Sequence, residues 1–106
     1  MNSFFQQVYQ LVAEIPVGKV ATYGQIGRLL GRPNAGLMVG WAMRSIPAAL
    51  QLPAHRVVYQ SGALAPTAAF GDWEVQRVLL EAEGVTFKPD GRVDLDRHLW
   101  HFRTEA

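Results

Sequence analysis

The sequence has no cysteine. That excludes disulfides, thiolate metal sites and a thiol nucleophile, and with them the small secreted scaffold held together by bridges. Long apolar runs are missing too: none reaches the roughly 18 residues that span a bilayer, so no membrane partner is expected. The first segment, MNSFFQQVYQLVAEI, lacks a basic region ahead of its apolar residues and carries Glu14, so it is not expected to be a signal peptide. Charged residues are sparse at 18%, while hydrophobic residues reach 49%, a globular balance that argues against a disordered, fibrous or coiled-coil chain. At 106 residues the chain is expected to form one domain, 1–106, around one core. Together these features predict an intracellular, cytoplasmic protein.

Acid is the most telling absence. From Ile15 to Gly71 there is none, and Lys19, Arg28, Arg32, Arg44 and Arg56 give that stretch a charge of +5. Residues 1–14 contribute −1 and residues 72–106 contribute −3, so the net +1 hides a one-signed middle and an acidic tail. Folded, such a stretch makes an electrostatic footprint for phosphates.

Phe5, Val8, Val12 and Ile15 recur at helical spacing behind a Ser3/Gln6 capping box, and Pro16 and Gly18 end that helix. Thr22 and Gln25 repeat the box and open a second short helix with Tyr23, Ile26, Leu29 and Leu30 on its apolar face. After the break at 31–34, Asn34 is the expected N-cap of a third helix running to about Ser45. Ala35, Gly36, Gly40 and Ala42 make that helix small-sided. Each glycine costs about 1 kcal/mol relative to alanine, so a helix or a nucleic-acid backbone is expected to approach closely there. Two short helices joined by a tight turn predict a helix-turn-helix, the third helix being the recognition helix. Residues 56–64 read as a hairpin resembling a wing. Asp72 is expected to cap a further helix that buries Val75, Val78, Leu79 and Ala82 and stops at Gly84. A small hairpin about Pro89, Asp90 and Gly91 precedes the terminal LDRHLWHF. The fold class is therefore mainly α with a short β-hairpin, a winged-helix-like helix-turn-helix domain. No repeat, linker or phosphate-binding glycine loop is found, and Trp41, Trp73 and Trp100 are expected to serve packing. His98 and His101, spaced three apart, have no third ligand and read as surface residues, so no metal and no cofactor are expected.

The string IPVGKVATYGQIGRLLGRPNAGLMVGWAMRSIP, followed by LPAHRVV, SGAL and LLEAEGV, resembles the DNA-binding domain of the O6-alkylguanine-DNA alkyltransferases over nearly the whole chain. In that family the IPCHRV motif holds the cysteine that accepts the alkyl group from a flipped guanine; here Ala54 stands in that position. The ending GRVDLDRHLW is similar to the tail of the alkyltransferase-like branch, which lacks the cysteine. Alkyl transfer requires a thiolate to displace the guanine oxygen from saturated carbon, and Ala54 has no lone pair to offer, so no enzymatic activity is expected. His55 and Glu83 match the residues that activate the family's thiol, though a buried polar network would need the same pair for stability alone.

The resemblance implies a lesion pocket of Tyr23, Ala54, His55, Val57 and Glu83. It further implies that Tyr23 rotates the phosphate of the target nucleotide and that Arg44 contacts a phosphate. Thr22, Gln25 and Ser61 are plausible donors to the DNA backbone, and Arg32, Asn34 and Arg56 complete the expected interface. The family's intercalating arginine is replaced by Leu37, which parts bases by volume without hydrogen bonds. Its hinge asparagine is Ile46, and the tyrosine and serine of its lesion-covering loop are Thr67 and Ala68. The expected function is non-enzymatic sensing of O6-alkylguanine in double-stranded DNA, by minor-groove docking and nucleotide flipping, with nucleotide excision repair proteins as further partners. Two other readings stay open on the residues: an alkyltransferase whose cysteine has been changed to alanine, and a winged-helix regulator reading the major groove.

Overall fold

The computed structural model describes residues 3–65 and 72–102. Its elements run α1 (Phe4–Glu14), β1 (Ala21–Thr22), α2 (Tyr23–Leu29), α3 (Gly36–Arg44), β2 (Val57–Val58), α4 (Trp73–Ala82) and α5 (Leu95–His98), with 3-10 turns at Ala48–Leu50 and Ala54–Arg56. Both capping boxes form as the sequence predicts: Ser3 with Gln6 opens α1, and Thr22 with Gln25 opens α2. Asp72 accepts a hydrogen bond from the Val75 N–H and caps α4. Asn34 does not cap α3; the cap position belongs to Ala35, whose methyl cannot accept a hydrogen bond.

β1 and β2 pair in parallel, Ala21 opposite Val57 and Thr22 opposite Val58. On the other side of β1 the terminal segment joins through Val20 and Leu99, with the Val20 N–H donating to the His98 carbonyl at 2.8 Å and the Trp100 N–H to the Val20 carbonyl at 2.7 Å. Alternation along these short strands divides the interior in two. Ala21 and Val57 face one core with Val8, Val12, Ile15, Ile26, Val39, Ala42, Met43 and Ala54. Val20 and Val58 face a second with Leu80, Val85 and Val93. The expected wing hairpin is thus corrected. Residues 59–63 do make a turn, closed by the Tyr59 N–H on the Ala63 carbonyl, but the strand before it belongs to the parallel pair. Gly62 holds this turn at φ +88°, and a Cβ there would lie 2.8 Å from the Val93 carbonyl oxygen. The second hairpin is present as one bridge, Phe87 with Val93.

α4 turns a different face inward from the one its apolar pattern predicts. Val75, Val78 and Leu79 are exposed, with Val78 at 63%, and Ala82 is exposed as well. Gln76 and Leu80 are buried instead. The Gln76 amide explains the choice: its Oε1 accepts from the Ala65 N–H, and its Nε2 donates to the His55 and Val57 carbonyls. These bonds satisfy backbone groups that would be costly to bury unpaired, and they staple α4 to β2. His98 also departs from expectation, being buried: Nδ1 donates to the Gly18 carbonyl and Nε2 accepts from the Thr86 N–H. Of the three tryptophans, Trp100 packs against the first core, whereas Trp41 and Trp73 are exposed.

Candidate nucleic-acid interface

α2 and α3 form the helix-turn-helix. The turn depends on Gly27, since a Cβ at that position would meet the Arg32 carbonyl oxygen at 2.9 Å. The Arg32 N–H in turn donates to the Gly27 carbonyl at 2.8 Å. α1 fixes α3 from behind, through the Tyr9 hydroxyl on the Ala42 carbonyl at 2.9 Å and through Val39, Ala42 and Met43 in the shared core. The outer side of α3 is left open. Among the described residues nothing lies within 4 Å of a Cβ built on Gly36 or Gly40, so none of them makes the close approach that their size predicts.

That open side is one wall of a cleft of about 580 Å³, lined by Tyr23, Gly24, Pro33, Asn34, Gly36, Leu37, Gly40, Arg44, Tyr59 and Gln60. The lining includes a cation and no acid. Leu37, 66% exposed, stands at its rim. The Tyr23 and Tyr59 rings, also in the lining, meet with centroids 5.4 Å apart. Burial, reinforced by neighbouring Tyr59 and only partly offset by Arg44, pushes the Tyr23 hydroxyl up to about 12. It therefore stays protonated and able to donate to an anionic oxygen across the ordinary pH range.

Below the strands lies a second cluster. Glu83 Oε2 is 2.9 Å from His55 Nε2, and the Arg56 guanidinium grips both carboxylate oxygens, Nε to Oε1 at 2.9 Å and a terminal nitrogen to Oε2 at 2.6 Å. The other terminal nitrogen donates to the Ile15 carbonyl at 2.7 Å, tying the end of α4 to the end of α1. Burial alone would raise the Glu83 carboxyl. The hydrogen bonds and charges of Arg56 and His55 outweigh that and hold it below the usual carboxylate range.

Measured against the expected site, the structure gathers Tyr23, Asn34, Leu37 and Arg44 in the cleft. Ala54 and Val57 are buried in the first core, and His55 and Glu83 pair beside them; none of the four lines the cleft. Arg56 cannot serve as a free phosphate contact, because Glu83 neutralises it and the Ile15 carbonyl occupies its remaining edge. Thr22 and Gln25 are likewise spent internally: each caps the other's backbone, and the Gln25 amide donates to the Trp100 carbonyl at 2.6 Å. Arg32 stacks its guanidinium over Phe4 at 4.9 Å, outside the cleft lining. Ser61 is exposed in the turn, where it accepts from the Ala63 N–H. Thr67 and Ala68 lie outside the described residues. Sequence reasoning missed Tyr59 and Gln60, whose signal was a large aromatic at the mouth of a polar turn. Among the described residues no group of three metal-ligating side chains occurs.

Residues 3–85 match the family described as 6-O-methylguanine DNA methyltransferase, DNA binding domain. The chain belongs to this family. It is similar to the DNA base-flipping protein of Escherichia coli (strain K12), 42% identical over 101 residues that cover 95% of this chain and 77% of that protein. It is also similar to alkyltransferase-like protein 1 of Schizosaccharomyces pombe, 35% identical over 104 residues, covering 94% and 96%. The fold matches the crystal structure of the S. pombe alkyltransferase-like protein in complex with damaged DNA containing O6-carboxymethylguanine. That match has a TM-score of 0.78 at 34% identity and covers 95% of this chain and 99% of the other. The O6-methylguanine methyltransferase of Mycobacterium tuberculosis is matched with a TM-score of 0.66 at 36% identity, over 78% of this chain and 49% of the enzyme. Unlike a methyltransferase of the family, this chain has no thiol to receive an alkyl group.

Proposed function

We propose that the chain is a non-enzymatic sensor of O6-alkylguanine in double-stranded DNA. One observation carries the reading: an acid-free cleft with a protonated tyrosine on one wall and an exposed recognition helix on the other, in a family member whose acceptor position is Ala54. In this scheme α3 lies in the minor groove with a DNA strand over the hollow at Gly36 and Gly40. Arg44 and the Tyr23 hydroxyl hold phosphates, and Leu37 enters the stack as the damaged nucleotide turns out toward Ala54. Without a nucleophile the chain cannot complete a repair. The bound lesion must be handed on, and nucleotide excision repair proteins, working on chromosomal DNA in the cytoplasm, fit that need.

The decisive experiment is a titration with matched duplexes containing guanine or O6-methylguanine, with a fluorescent base analogue opposite the lesion to report extrusion. Tighter binding to the lesion with a rise in analogue emission is expected. Equal affinity for both duplexes, or strong dependence on surrounding sequence without regard to the lesion, would replace this reading with that of a regulator.

A further inference from the structure

The outer surface of α3 has a ridge and a furrow. Gly36 and Gly40 form the furrow and open into the cleft. Leu37, Trp41 and Arg44 form the ridge, since residues three and four apart share a helix face. Trp41 is 47% exposed, packs against neither core, and does not line the cleft. Among the described residues this large aromatic on the recognition helix belongs to neither core.

Its neighbours define what it meets. Leu37 lies one turn before it and Arg44 one turn after, and no acid occurs between residues 15 and 71, so the ridge suits a polyanion with an apolar interior. Indole offers a flat apolar body and a single N–H donor, and the minor-groove edges of base pairs present acceptors at adenine N3 and thymine O2. Four helical residues advance about 6 Å, and bases along a strand are about 3.4 Å apart. With Leu37 in the gap left by an extruded nucleotide, Trp41 falls one to two base steps away.

We propose that Trp41 is a further DNA-contacting side chain of α3, beside Leu37 and Arg44, laying its indole against the nucleotide that flanks the gap entered by Leu37 and restoring part of the stacking lost on extrusion. The inference rests on the damage-sensing reading for where the gap lies. Leu37 fills volume without hydrogen bonds, and Trp41 supplies the aromatic surface and the donor that leucine lacks.

The test uses the whole chain, Trp41→Phe and Trp41→Ala variants, and the two matched duplexes. Because Trp41 is exposed and outside both cores, each variant should fold with a Tm within about 2 °C of the parent. Adding the O6-methylguanine duplex should quench the parent's tryptophan emission, and Trp41→Phe should lose most of that quench while binding within about fivefold. Stacking on a base is worth about five- to 150-fold in affinity when removed by alanine, so Trp41→Ala should weaken lesion binding by a factor in that range. An Ala variant that binds like the parent, or a quench that survives in Trp41→Phe, overturns the proposal. If the parent itself shows no preference for the lesion, the damage-sensing reading fails, and the same comparison on the guanine duplex decides the Trp41 contact.

Discussion

Arg56→Ala separates a structural charge from a DNA-binding one. The guanidinium makes three hydrogen bonds, two to Glu83 and one to the Ile15 carbonyl, at 2.9, 2.6 and 2.7 Å. The two side chains are only 13% and 17% exposed. Removing one partner of a buried ion pair costs about 3–5 kcal/mol, mostly by stranding the other charge. Here some water reaches the carboxylate and His55 still holds Oε2, so the low end, about 3 kcal/mol, is expected. At about 4 °C per kcal/mol for a domain of this size, Tm should fall by about 12 °C. Thermal unfolding followed by far-UV circular dichroism measures this directly. A pH series adds a second check. The folded-state pKa of Glu83 is depressed, so its contribution is present above the unfolded carboxylate value of about 4.3 and is lost as pH falls through the folded value. The gap between parent and variant should be full at pH 7 and close only as the pH falls below the ordinary carboxylate range. The slope of log K against log[salt] for DNA binding should stay unchanged. A Tm loss under about 4 °C combined with a slope shallower by about 1 would show that Arg56 works on a phosphate, and that the internal role assigned to it is wrong.

Arg44→Ala should behave in the opposite way, keeping Tm but weakening binding to every duplex and making the salt slope shallower by about 1, from a parent value near −2 to −3.5 for two to four phosphates. With radiolabelled O6-methylguanine DNA the parent should leave all label on the DNA, and Ala54→Cys should take up label if the His55–Glu83 pair activates a neighbouring thiol. A cysteine of ordinary pKa that accepts no label would make the pair purely structural. Leu37→Ala should weaken lesion binding and analogue emission, whereas Leu37→Arg should tighten binding by about 1–3 kcal/mol through a base contact; an unchanged Ala variant would show that another side chain fills the stack. On α4, Val78→Glu should change stability by less than about 0.5 kcal/mol, while Leu80→Ala costs about 2–5 kcal/mol; the reverse order in chemical denaturation would mean that the helix packs the other way round.

Local rules carried far in this chain. The capping boxes at Ser3 and Thr22 depend only on a side chain reaching a backbone N–H three residues on, and both formed at the predicted positions. Non-local pairing was not legible. Nothing in residues 57–58 says that their partner is 21–22 rather than the next strand along, because a parallel register depends on what lies between. α4 misled for a different reason. Its hydrophobic periodicity favoured Val75, Val78, Leu79 and Ala82, but Gln76, Glu83 and their polar partners fixed which side faces inward. A hydrophobic pattern counts apolar area and gives no weight to an amide that satisfies several buried backbone groups at once. Resemblance pointed to Tyr23, Leu37 and Arg44, which do share one cleft, while the internal use of Arg56, Thr22 and Gln25 could not be read, since charge counting cannot tell a free cation from a paired one.

The Glu83 cluster bears on what losing the nucleophile means. Because Glu83 also clamps Arg56, and Arg56 also holds the Ile15 carbonyl, the group joins α4, the 3-10 turn at 54–56 and the end of α1 whether or not a thiol is present. Its persistence beside Ala54 therefore says nothing in favour of residual chemistry. It does keep the 3-10 turn that carries Ala54 fixed against α4 and α1, with the Ala54 methyl packed in the first core. Under the damage-sensing proposal an alkylated base is bound reversibly, and its residence time depends on dissociation alone. A thiol would end the encounter by covalent capture. Under that proposal a chain without one relies on the lifetime of the extruded state, and the contacts proposed for Leu37 and Trp41 with the opened stack would lengthen it. Weakening them should therefore shorten the lifetime of the lesion complex more than it slows its formation.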